Sequence, residues 1–122
     1  MLTAAFAVLA AAVLFGAALT VRFLRGGPAT AVPWPAAALH GIVGIAGLGC
    51  LLLALRGPPC GLGQGTASFG AIAATLLALA ALAGLGVLLM HRGKKQRAGT
   101  LIGLHATLAI SGFVVLAAYL MA

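Results

Sequence analysis

Residues 67–90 read ASFGAIAATLLALAALAGLGVLLM, twenty-four residues without a charge, and residues 91–97 continue with HRGKKQR. A helix rises about 1.5 Å per residue, so roughly 20 apolar residues cross a hydrocarbon core about 30 Å thick. A stretch this long, closed by a basic cluster, predicts a transmembrane helix that ends at a membrane surface.

Three further apolar runs occupy the rest of the chain. The first is closed by Arg22 and Arg25, and because its positive charge follows the apolar stretch, we expect a retained helix and not a cleaved signal. The second begins near Pro35, where a proline costs a helix no hydrogen bond. We therefore predict an all-α integral membrane protein: a single domain over residues 1–122, with four transmembrane helices in a bundle, at about 2–24, 35–55, 67–90 and 98–121.

The composition excludes several classes of chemistry. Hydrophobic residues make up 64% of the 122 residues and charged residues 6%, with no Asp or Glu. Paired-carboxylate hydrolysis, a Ser-His-Asp triad and sites for magnesium or calcium all require the missing side chains. Transport coupled to protons or sodium usually requires an intramembrane carboxylate as well. We expect a non-catalytic subunit and disfavour a channel or coupled transporter.

The basic residues predict an orientation. Six of the seven Lys and Arg residues lie around the connections after the first and third helices, and only Arg56 lies after the second. The six are Arg22, Arg25, Arg92, Lys94, Lys95 and Arg97. Positive loops face the cytoplasm, so both termini are expected outside it, in a bacterial inner membrane. No nucleic-acid partner is expected, because no aromatic stacking platform accompanies these short basic loops.

The second and fourth helices share a pattern. Both read Leu-His-x4-Ile-(Ala/Ser)-Gly-x3-Leu, at 39–51 and 104–116, an offset of 65 residues. The preceding helices are each Ala/Leu-rich and end in Arg-Gly. This predicts a tandem two-helix parallel repeat, whose pseudo-two-fold axis lies along the membrane normal.

The repeat places two histidines, His40 and His105, at equal depth inside the membrane. Intramembrane ionisable residues are costly and usually face the bundle interior, and two imidazoles facing each other suit the axial positions of haem b. Gly47 and Gly112 lie on the same helix faces, and they leave room for a macrocycle or a close helix. For the haem propionates the candidate cations are Arg25, Arg92 and Lys94, whereas His91 is expected at the interface.

Other readings of the histidine pair remain open. Each histidine could simply hydrogen-bond a backbone carbonyl or a lipid headgroup, and copper or a (bacterio)chlorophyll are weaker ligand options. The sequence therefore predicts a small b-type haem-binding subunit in electron transfer, with a cofactor-free accessory subunit as the alternative. The expected partners are the lipid bilayer, a larger respiratory or photosynthetic membrane complex or further copies of the chain, and a quinone.

Overall fold

The structure is a computed structural model that describes residues 1–25, 33–60, 65–89 and 95–122, of which 95–98 by their backbone alone. Four α-helices account for most of these residues. They are α1 (Leu2–Arg25), α2 (Trp34–Ala54), α3 (Phe69–Leu89) and α4 (Lys95–Met121). Six of the eight predicted helix ends differ from these bounds by one to three residues, and the other two agree. Lys95, predicted in a loop, is the first residue of α4.

Prolines set the start of α2. Pro33 is extended, with φ −59° and ψ 126°, and its carbonyl accepts bonds from the amides of Ala36 and Ala37. Pro35 lies in the first turn, where its missing N–H has no partner to lose. These two prolines therefore set the point in the chain at which α2 begins.

The four helices pack as two hairpins. α1 packs mainly on α2 and α3 on α4, while smaller contacts between α2 and α3 and between α1 and α4 close the bundle. No backbone contact joins α1 to α3 or α2 to α4 among the described residues, so these pairs are the diagonals. A side chain that reaches the centre from α2 therefore faces one from α4.

The packed core lies towards one end of the bundle. Leu51 and Leu116 are completely buried there, among small residues that let the helices approach closely. At the same end, the amide of Cys60 donates a 3.0 Å hydrogen bond to the hydroxyl of Tyr119, which ties the chain after α2 to the end of α4. Both Cys50 and Cys60 are free thiols.

The outer surface is apolar. Large side chains such as Ile45, Leu82 and Val114 are 59–66% exposed. Exposing this much apolar surface is unfavourable in water but not in lipid. All four helices are long and apolar enough to cross a membrane. The chain is therefore a helical membrane protein.

Candidate cofactor site at a histidine pair

His40 and His105 meet inside the bundle. They come from the diagonal helices α2 and α4, and their ring centroids lie 5.8 Å apart with the ring planes at 89°. His40 is six residues after the start of α2, and His105 is six residues after Gly99, where the apolar part of α4 begins. At about 1.5 Å per residue, both lie about 9 Å inside their apolar segments.

The ring of His105 packs against a glycine on α3. Nδ1 of this ring lies 2.7 Å from the carbonyl oxygen of Ala80, so Nδ1 is the donor and Nε2 keeps a free lone pair. A Cβ added at Gly84, one turn after Ala80, would lie 3.0 Å from Cε1 and Nδ1 of the ring. The missing side chain therefore gives His105 access to a carbonyl that a bulkier residue would cover.

The same arrangement recurs around His40. A Cβ at Gly16 of α1 would lie 2.7 Å from His40 Cε1, and the backbone of Ala12, one turn earlier, interacts with the ring. This contact does not meet the geometry of a hydrogen bond, however. The buried Nδ1 of His40 has no hydrogen-bond partner among the described residues. Phe15 packs edge-on at 6.1 Å between ring centroids. His40 is thus held in place by packing, with an unsatisfied polar atom.

Among the described residues, complete burial is confined to the end of the bundle away from the histidines. Both histidines are only half-buried. Within the described segments, every fully buried side chain lies at the level of Ala12 and Ala80 or further towards the opposite end. The described side chains at the histidine end are therefore less deeply buried than those of the packed core.

Gly47 and Gly112 are sites of close helix contact. A Cβ at Gly47 would lie 2.9 Å from Leu9 of α1, and one at Gly112 would lie 2.9 Å from Leu77 of α3. Leucine side chains occupy the space beside both glycines. Of the two uses predicted for them, the contacts fit a close helix, and the room expected for a macrocycle beside them is filled.

Only one of the three predicted propionate cations lies in the described part of the chain. Arg25, at the end of α1, lines an open groove of about 700 Å³ between α1 and α2 together with Arg22. Arg92, Lys94 and His91 fall outside the described residues.

The spacing of the two rings is slightly shorter than a metal ion held between them would need. Two metal–nitrogen bonds of about 2.0–2.1 Å, with each ring centre about 1.15 Å behind its nitrogen, put the ring centres about 6.4 Å apart. The observed 5.8 Å is about 0.6 Å less, so the two rings would have to move apart slightly to bind one metal ion. No third His or Cys side chain joins the pair among the described residues. A structural or catalytic zinc takes three or four protein ligands, whereas a haem brings four nitrogens of its own and takes two from the protein.

The chain matches no protein-family model, no curated protein and no solved structure.

Proposed function

We propose that the protein is a small b-type haem-binding membrane subunit that takes part in electron transfer within a larger membrane complex. The observation that carries the proposal is the meeting of His40 and His105 across the bundle diagonal at 5.8 Å. The two side chains come from diagonal helices, and α1 and α3, the other diagonal pair, make no backbone contact with each other among the described residues.

The surroundings of the rings support the same proposal. A metal-ligating histidine usually donates its other ring N–H to a carbonyl or carboxylate, which orients the ring and raises its basicity. His105 has this arrangement through the carbonyl of Ala80. His40 has the backbone of Ala12 nearby, but its buried Nδ1 has no hydrogen-bond partner among the described residues.

When bound, haem would supply a one-electron carrier, and the protein would bind it, orient it and exclude water. His40 and His105 would hold the iron, while Gly16 and Gly84 would fix the planes of the two rings. Arg92 and Lys94, which lie between α3 and α4 in the sequence, are proposed to pair with the propionates. Electrons would pass to a partner subunit or a quinone near this membrane face.

We further propose that the chain is a duplicated two-helix unit. Residues in matching roles are 68 apart between α1 and α3 and 65 apart between α2 and α4. The matched pairs are Ala5/Ala73, Leu9/Leu77, Ala12/Ala80 and Gly16/Gly84 in the first set, and His40/His105, Gly47/Gly112 and Leu51/Leu116 in the second. The positive-inside rule applied to this parallel repeat would put both termini outside the cytoplasm of a bacterium.

A cofactor-free accessory subunit is the second candidate. The T-shaped contact between the two imidazoles favours it, because edge-to-face pairing at 4.5–7 Å is an ordinary packing arrangement for aromatic rings. In this case the histidines stabilise the bundle and the apolar exterior packs against a larger membrane complex.

An absorption spectrum separates the two candidates. Protein purified in mild detergent from cells supplied with haem should show a Soret band. On reduction with dithionite it should give the sharp visible bands of a low-spin haem, since two imidazoles leave no open position on the iron. Protein that carries no Soret band, and does not convert added haemin to a low-spin spectrum, would favour the accessory subunit.

A further inference from the structure

The groove between α1 and α2 combines a charged mouth with an apolar floor. Arg22 and Arg25 lie at its outer end, next to Pro33, and its floor runs along Leu19 and Ala18. It ends at Phe15, whose ring touches that of His40. Ten residues of helix separate Phe15 from Arg25, so the groove is about 15 Å long and runs from the membrane surface into the hydrocarbon region.

The two arginines have no counter-ion within the protein. The chain contains no Asp or Glu, so no side chain can pair with either guanidinium. Both are exposed at the end of α1, where an arginine fork suits a bidentate phosphate or carboxylate. The charge must therefore be balanced by an anion from outside the chain.

The position of the groove favours a lipid as the source of that anion. It runs from the membrane surface, where lipid headgroups lie, into the hydrocarbon region, where acyl chains lie. The open groove has a volume of about 700 Å³, which has room for part of a headgroup and an acyl chain. An amphiphile with an anionic head satisfies the charge, the apolar floor and the volume together.

We propose that this groove binds an anionic phospholipid, with its phosphate on Arg22 and Arg25 and one acyl chain along Leu19 and Ala18 to Phe15. The site is separate from the axis between His40 and His105 and does not depend on haem. It changes the role predicted for Arg25, which binds lipid here and leaves the haem propionates to Arg92 and Lys94.

Native mass spectrometry of delipidated protein tests the proposal with phosphatidylglycerol and phosphatidylcholine of identical acyl chains. We expect the anionic lipid to bind more tightly. Arg22→Gln and Arg25→Gln should each weaken it about fivefold, the effect of one basic residue near a lipid surface. Arg56→Gln, at the opposite end of the bundle, is the matched control and should leave binding unchanged. An equal loss with Arg56→Gln would overturn the proposal, because it would reveal only diffuse attraction.

Two further comparisons test the groove itself. Ala18→Trp fills the floor without changing charge and should weaken the anionic lipid, whereas Ala17→Trp, exposed on the same helix outside the groove, should not. Lipid binding that withstands Ala18→Trp would refute an acyl chain in the groove. Inorganic phosphate should not compete with the lipid, and effective competition would refute a lipid as the occupant. Haem content should be unchanged in Arg25→Gln. Lost haem with normal lipid binding would return Arg25 to a propionate role.

Discussion

Gly84→Ala tests whether the missing side chain at this position of α3 is needed to accommodate the ring of His105. The added methyl group would lie 3.0 Å from His105 Cε1 and Nδ1, closer than ordinary contacts allow. The ring must then shift and weaken its 2.7 Å bond to Ala80. Hydrogen bonds between membrane helices contribute about 0.6 kcal/mol on average, up to about 1.7. Overpacking generally costs about 1–3 kcal/mol. We expect a loss of about 1–3 kcal/mol in the free energy of unfolding.

The measurement is reversible unfolding in mixed detergent micelles, with Gly86→Ala as the matched control. A methyl group at Gly86, two residues further along α3, would meet only Leu101 at 3.9 Å, an ordinary contact. That variant should be neutral or slightly stabilising, since alanine favours helix over glycine by up to about 1 kcal/mol.

A double-mutant cycle then identifies the cause of the loss. In a His105→Ala background the ring is absent, so Gly84→Ala should cost nothing, and the two substitutions should be strongly non-additive. If Gly84→Ala behaves like Gly86→Ala, or if its cost persists without the ring, the glycine does not serve the histidine.

Two other predictions concern topology and packing. A reporter active only outside the cytoplasm should work when fused after Ala122, and one active only inside should work when inserted near Lys95; the reverse pattern would invert the proposed orientation. Gly112→Ala should destabilise the bundle by about 1–3 kcal/mol through overpacking, because its methyl group would meet Leu77 and Leu76, while Gly103→Ala on the same helix points into open space and should be neutral. Equal unfolding free energies for these two variants would contradict the close contact of α3 and α4.

The four helices could be predicted from the sequence because uninterrupted apolar length is a strong signal. Their ends were less predictable, as α4 shows: it begins at Lys95 within the basic segment, where hydropathy favours a loop. Helix formation there depends on backbone hydrogen bonds, and the polarity of the side chains does not predict whether those bonds form.

The candidate site could be predicted in part. The matched spacing of His40 and His105 pointed to two side chains at one depth, and the structure brings their rings together. Gly16 and Gly84 were missed, since they lie on the other two helices and act through contacts that no linear spacing shows. Gly16 carried a usable signal, as the lone glycine of α1. Gly47 and Gly112 share a helix face with the histidines but contact neighbouring leucines, because two turns of helix take them down into the packed core.

The axial role of the histidine pair is tested most directly by the absorption spectra of His40→Ala, His105→Ala and the double variant, each prepared with haem available, beside the parent and Gly86→Ala. If both histidines bind one iron, each single substitution should abolish the low-spin spectrum, the double variant should be little worse, and Gly86→Ala should match the parent. A low-spin spectrum that survives in both single variants would contradict the assignment of His40 and His105 as axial ligands.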